Sequence, residues 1–441
     1  MRCLILLAVL LVASLTSAIA MPQKKGRKGF SLEATKNTNS RPDFVREWVA
    51  AHQKWGKAVS PEILSAFSLL DDGISSIRYR ISPVLMTFAD GRVDVNPLGS
   101  DMIYIADVKV GTPPQILKIA IDTGSADLWV QSSDTVYRAN TEGPWAPRYR
   151  PNTSKTSHRL HDAEWNVEYD CTKKHLSVDG THAHGIVYLD TVRLGDFELK
   201  NVAIESAQIV APRFEREDEL TGILGLAKSL PSNIEPPTPS LLDKLRPFLD
   251  KPVFSVDLRR NATGRFDFGH IDESRAKDNI SWMATREDSP HWDVTFDTTA
   301  WTGLRQVWMA HTFEATIDTG TTLLFLPSDL AGMYWYDVPD MRIDPRLNNA
   351  FTFPCKFADN LPDLMFKVPG TEHILTIPGP YLSYSPVDDD PEYCWGGMQS
   401  AESLGVTIIG DIALKALFVA FDLENNKVGF ANKKLHDIEE W

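Results

Sequence analysis

Apolar residues fall into three regimes along this chain. The first is one short run, residues 3–12, preceded by Met1 and Arg2 and followed by Ser17-Ala18-Ile19-Ala20. A positive start, a short apolar stretch and a small-x-small site predict a cleavable targeting segment over residues 1–20, and the run is too short for a comfortable membrane span. The second regime, residues 21–60, is largely polar, but Phe44, Val45, Trp48, Val49 and Trp55 recur within it. Their near-helical spacing predicts an amphipathic helix with one face to dock. From about residue 101 the texture is β. Ile103 to Val110 is a strand-like run ended by the turn Gly111-Thr112-Pro113-Pro114, and short β-branched runs between turn clusters continue to the end. Two stretches read as helices, residues 240–249 and 328–334, the second with Ser328 as its N-cap. The predicted fold class is all-β with small helical inserts.

That pattern contains a repeat. Ile119-Ala120-Ile121-Asp122-Thr123-Gly124-Ser125 is followed by Ile223-Leu224-Gly225. Ala315-Thr316-Ile317-Asp318-Thr319-Gly320-Thr321 is followed by Ile408-Ile409-Gly410. Two units of similar length predict two lobes facing each other.

Charge sharpens the division. The 441 residues carry a formal net charge of −14, which argues against a nucleic-acid partner. Residues 21–60 hold nine Lys/Arg against three acids, a net of +6, which leaves −21 on residues 61–441. A basic leader on an acidic body is held by an attraction that fades as acids protonate, so a removable pro-segment is expected over residues 21–90. Cys3 leaves with the targeting segment. Cys355 and Cys394 lie in the same late region and can pair in an oxidising compartment. Cys171 has no evident partner and reads as a free thiol, an intermolecular link or a buried inert thiol. Sequons at Asn152, Asn261 and Asn279 are candidate glycan sites. The acidic, polar tail over residues 433–441 carries no lipid-anchor pattern.

The Asp-Thr-Gly loops hold the candidate chemistry. Gly124 and Gly320 allow a tight turn and close backbone approach. Thr123 and Thr319 supply hydroxyls that can bond across to the opposite loop, and Ser125 and Thr321 set a hydroxyl beside each carboxylate. Two carboxylates a few ångströms apart share one proton. One can then activate water as a base while the other protonates a carbonyl oxygen. Neither a metal nor any other cofactor nor a covalent nucleophile is needed. One Asp-Thr-Gly alone reads as an ordinary turn; two, each with an apolar lead-in and a later hydrophobic-hydrophobic-Gly, do not.

On these residues the chain resembles the pepsin-like aspartic endopeptidases, the secreted fungal ones such as aspergillopepsin and penicillopepsin in particular. The resemblance spans roughly residues 101–433. It includes Val110-Gly111-Thr112-Pro113-Pro114-Gln115, residues 122–130, Gly222-Ile223-Leu224-Gly225, Asp318-Thr319-Gly320-Thr321-Thr322, Ile409-Gly410-Asp411 and Val428-Gly429-Phe430-Ala431. It implies a bilobal fold of two β-barrel-like lobes around a substrate cleft, over residues 91–270 and 271–441, with Asp122 and Asp318 as the catalytic pair. It implies a Cys355–Cys394 disulfide. It also implies that Lys54-Trp55-Gly56 stands for the family's Lys-Tyr-Gly, with Lys54 blocking the pair until acid releases it. Processing is expected between about residues 78 and 94. The implied activity is hydrolysis of polypeptides at acidic pH, with apolar or aromatic residues favoured around the cut. The expected protein is a secreted, extracellular monomer without a membrane anchor, with a vacuolar location as the alternative.

One region departs from the family. Trp165-Asn166-Val167-Glu168-Tyr169 fits the hairpin that closes over substrate, with Tyr169 as its tyrosine and Trp129 as the partner for that hydroxyl. The following Asp170-Cys171-Thr172 lacks both usual glycines, and Lys173, Lys174 and His175 extend the tip before Gly180 and Gly185. The longer tip reshapes specificity, with Asp170 drawing basic side chains, or is neutral decoration, or marks a peptide-binding protein with weak turnover. His182 and His184 share one strand face, but no third metal ligand stands nearby, and a hairpin-base strand is the expected reading.

Overall fold

The computed structural model describes residues 29–34, 43–55, 59, 63, 93–98, 103–137, 146–168, 182–195, 197–210, 212–215, 219–228, 233–303 and 308–437. Within it the sequence repeat becomes a repeat of strand pairing. Gln115–Asp122 runs parallel to Gly222–Gly225, which is antiparallel to Leu128–Gln131. In the second copy Met309–Ile317 runs parallel to Ile408–Ile409, which is antiparallel to Leu324–Leu326. Each Asp-Thr-Gly therefore leaves a strand braced by the hydrophobic-hydrophobic-Gly segment of its own copy. The stretches leading into and bracing the loops lie in the core, where Ile119, Ile121, Leu224, Ile317, Leu324 and Ile409 are all buried.

The two halves share one sheet of fifteen strands. Toward one end of it Val253–Arg259 pairs with Ala262–Phe268 on one side and with Leu417–Asp422, from the end of the chain, on the other. The stacking of Phe254 on Phe421 at 4.4 Å puts the join in the core. The remaining strands of the second half form a seven-stranded and a four-stranded sheet. The fold is mostly β, as expected. Cys355 and Cys394 form a disulfide that ties the Ala350–Pro354 strand end to Asp390–Gly396. Among the described residues no helix is long and apolar enough to cross a membrane.

Both expected helices exist, with different ends. Ser240 caps Leu241–Leu245 through a reciprocal bond with Asp243, but Pro247 then turns the chain into a single 3-10 turn, Arg246–Phe248. The other helix is Ser328–Tyr336. Ser328 is its first residue and not its cap, because the extended Pro327 occupies the capping position and offers no side-chain acceptor.

The leader is ordered in two places. Phe30–Ala34 enters the shared sheet between Ala262–Phe268 and Val93–Leu98, with Phe30 and Leu32 facing the core. The charge-based reading missed this strand because its alternation is only three residues deep. The expected helix forms over Phe44–Lys54. Asp43 starts it by accepting from the Arg46 N–H at 3.0 Å. Its stripe of Phe44, Trp48, Val49 and Ala51 packs on Leu323, Phe325, Leu347 and Trp395 of the second half. The Phe44 ring stacks on Trp395 at 4.5 Å.

Truncating that ring tests what holds the helix down. Phe44→Ala should cost about 3 kcal/mol or more of docking. Amide hydrogen exchange over the helix at neutral pH should then accelerate by roughly a hundredfold, while the shared sheet keeps its protection.

Candidate active site

The two Asp-Thr-Gly loops meet through four hydrogen bonds. The Thr123 N–H donates to Thr319 Oγ1 at 3.1 Å, and the Thr319 N–H donates to Thr123 Oγ1 at 3.0 Å. Each hydroxyl passes its own proton across, Thr123 to the Ile317 carbonyl and Thr319 to the Ile121 carbonyl, both at 2.8 Å. All four groups are buried, so each bond left unmade carries a desolvation cost. The crossing expected from the sequence is therefore present and satisfied on both sides.

Each carboxylate is aimed by its own loop. Asp122 accepts from the Gly124 N–H at 2.8 Å and from Ser125 Oγ at 2.6 Å. Asp318 accepts from the Gly320 N–H at 2.9 Å and from Thr321 Oγ1 at 2.5 Å. The glycines serve close approach. A Cβ on Gly124 would stand 2.5 Å from Asp318 Oδ1, and one on Gly320 would overlap the Asp122 carboxylate. Each glycine leaves room for the carboxylate of the other loop.

Lys54, from the end of the leader helix, lies on the pair. Its ammonium is 2.7 Å from Asp122 Oδ1 and 2.8 Å from both oxygens of Asp318. Trp55 follows, donating from Nε1 to Thr321 Oγ1 at 3.4 Å and tilting over the His291 ring at 5.0 Å. Glu47 bonds Thr322 just beyond the second loop. The charge states follow from this geometry. Burial pushes the Asp318 carboxyl above the ordinary carboxylate range; Lys54 offsets part of this and Asp122 adds to it. Burial acts the same way on Asp122, but there the Lys54 ammonium outweighs it and holds the group low. Burial would lower Lys54, yet the two carboxylates more than reverse that, so it stays an ammonium.

Trp129 is buried against Phe214 and Trp165, with ring centroids at 4.8 and 6.2 Å. Its expected partner Tyr169, together with Asp170 and Cys171, lies outside the described residues. So do residues 173–175 of the extended tip and the expected processing region up to residue 92. Asn152, Asn261 and Asn279 are all exposed; Asn261 sits at the hairpin turn with φ of 53°. Among the described residues no three His, Cys, Asp or Glu side chains are grouped as metal ligands. The reading from sequence missed His291, which has no motif around it, and a second carboxyl pair behind the first loop. There Asp127 accepts from Asn233 and bonds the buried Glu205. Burial, and then Asp127 itself, push Glu205 well above the ordinary range.

Paired carboxylates on twin loops of a mostly β, internally repeated chain define an aspartic protease by fold and site. The family model for eukaryotic aspartyl proteases matches residues 103–433, and the chain belongs to that family. It is therefore a peptide hydrolase of the aspartic type. It is 35% identical over 351 residues to endothiapepsin of Cryphonectria parasitica, covering 78% of each chain. It is 34% identical over 337 residues to podosporapepsin of Podospora anserina, covering 76% of this chain and 75% of the other. The likeness to penicillopepsin-1 of Penicillium rubens, 30% over 428 residues, takes in 95% of this chain and so reaches into the leader.

The crossing can be tested directly. Thr319→Val strands the buried Thr123 N–H and the Ile121 carbonyl, and should lower unfolding free energy by about 2–4 kcal/mol in urea titration. Thr319→Ser keeps the hydroxyl and should stay within about 1 kcal/mol of the wild type.

Proposed function

We propose that this chain is the proenzyme of a secreted, acid-acting aspartic endopeptidase whose catalytic pair is Asp122 and Asp318. The observation that carries this reading is the threonine crossing, which fixes two buried carboxylates where a single ammonium can reach both. Residues 1–20 serve as signal segment, residues 21–90 as pro-segment, and processing falls between about residues 78 and 94. The substrates are polypeptides, and no metal takes part.

With Lys54 gone, the carboxyls face each other without a cation, and like charge makes them hold one proton between them. The ionised member draws a proton from a water molecule while the protonated member donates to the scissile carbonyl oxygen. A tetrahedral species forms, and its collapse returns a proton to the leaving nitrogen. Ser125 and Thr321 keep the outer carboxylate oxygens oriented, and the loop N–H groups of Gly124 and Gly320 fix the inner ones.

The same charges explain silence before acid. Asp122 is held low by Lys54, so its contribution to docking is present above the ordinary carboxylate value near 3.8. That contribution is lost as pH falls through its lowered value. Asp318 titrates high and takes up its proton first on acidification. Lys54 keeps its charge throughout, so the ion pair fails from the carboxylate side.

Two substitutions test this reading. Asp318→Asn in the processed enzyme should lower cleavage of denatured protein at about pH 3–5 by a factor of roughly 10²–10⁴ or more. Cleavage at the wild-type rate would overturn the assignment of the pair. Lys54→Met in the full chain should let a statine-type inhibitor bind near pH 7, where the wild-type proenzyme excludes it.

A further inference from the structure

The leader helix carries a second ionisable group that the docking of Lys54 does not use. His52 is fully buried where the Phe44–Lys54 helix meets the second half of the chain. Its ring stacks on Trp48 of the same helix at 3.5 Å and meets Phe325 edge-on at 5.8 Å. Nδ1 lies 2.8 Å from the Trp48 carbonyl, and Nε2 lies 2.8 Å from Ser403 Oγ. A carbonyl only accepts, so Nδ1 carries the hydrogen. Nε2 of the neutral ring is then the acceptor, and the Ser403 hydroxyl donates to it. Both nitrogens are satisfied with no charge on the ring.

We propose that His52 is an acid sensor, neutral while the helix is docked, whose protonation loosens the leader from the second half independently of the Lys54 ion pairs. This rests on the reading of the leader as an inhibitory segment over Asp122 and Asp318. It adds a regulator of that site that works on the far side of the helix from Lys54.

Among the described residues the ring's polar partners are one carbonyl and one hydroxyl, neither of them an anion. On its own helix, Glu47 is bonded to Thr322 and Lys54 to the two carboxylates. The facing strand Leu324–Leu326 carries no ionisable side chain. In the segment that supplies Ser403, Glu402 is exposed to solvent. Burial lowers the ring to about 4, and the Trp48 carbonyl works against this without reversing it. The sign is fixed by which state binds the proton. Undocked, an ordinary histidine takes up its proton near 6.5. The docked ring does so only near 4, so docking weakens as pH falls through that interval and levels off below it. Between pH 7 and 4 the docking equilibrium loses on the order of a hundredfold from this one group. Asp43, the helix cap, works in the opposite sense: burial raises it, so its proton uptake favours the docked helix. Acid thus acts on two faces of the leader, the one packed against Phe325 and the one over the carboxylate pair.

The full-length proenzyme tests the inference by hydrogen exchange over residues 44–54 between pH 7 and 4, corrected for intrinsic exchange. The wild-type helix should open by on the order of a hundredfold across that range. In His52→Gln, which keeps a donor and an acceptor but cannot charge, most of that pH dependence should disappear. His52→Phe keeps the stacking on Trp48 and should behave the same way, which covers a failure of the glutamine variant to dock at pH 7. Equal pH dependence in wild type and a docked variant would overturn the proposal. So would a His52 imidazole titrating near 6.5 by NMR in the docked proenzyme. A statine-type inhibitor added to the same samples separates the two claims. In wild type it should enter at a pH about one unit higher than in His52→Gln. Exclusion of the inhibitor from Lys54→Met at every pH would instead overturn the assignment of the pair, leaving the exchange result to judge His52.

Discussion

Two carboxylates buried side by side repel, and everything around Asp122 and Asp318 answers that repulsion. The threonine crossing fixes the loops rigidly enough that the carboxylates cannot move apart to relieve it. The glycines remove the atoms that would otherwise wedge the loops open. What remains is to supply positive charge, and Lys54 brings one ammonium within 2.8 Å of both groups. In a low-dielectric setting that attraction is strong, but it survives only while at least one carboxylate is ionised. The docking of Lys54 is thereby conditional on pH through the two carboxylates it covers.

Much of this was legible in the chain. The repeat of apolar lead-in, Asp-Thr-Gly and later hydrophobic-hydrophobic-Gly maps onto twin strand pairings because the paired ends of these strands lie in the core and are largely apolar. The helix around Trp48 was visible in its spacing, and Lys54 through the resemblance of Lys54-Trp55-Gly56 to the family's Lys-Tyr-Gly. The Phe30–Ala34 strand was not, because its pairing with Ala262–Phe268 joins residues more than two hundred positions apart and the local pattern is too short to show it. His291 and Glu205 stayed hidden for the same reason. Their surroundings are set by neighbours distant in sequence, Trp55 for one and Asp127 for the other. The helix at Ser328 shows a local rule overridden: a serine ahead of an apolar stretch reads as a cap, yet the preceding proline already holds the extended geometry a cap requires.

The chain solves the problem of a buried carboxyl in three different ways. Asp257 is surrounded by Arg259, Arg275 and Lys433, and burial, which would raise it, is outweighed so far that it sits at about 2. Its countercharges all belong to the shared sheet and its flanks. Among the described residues no cation forms an ion pair with Asp127 or Glu205. Burial and mutual repulsion push Glu205 high, so the pair is satisfied by holding a proton. Asp122 and Asp318 hold the first solution in this structure, with the Lys54 ammonium on both; in the function proposed above, the second, a shared proton, follows once Lys54 leaves. The cation of this third arrangement stands on a segment held by a helix stripe, one strand, the His52 ring and the bonds of Glu47 and Trp55. A carboxylate pair meant to bind and activate water cannot have a permanent cation, since that would hold both members ionised and leave no acid. In the function proposed above, the countercharge therefore comes from a part of the chain that can leave, the role proposed for the leader, which is basic where the body is acidic.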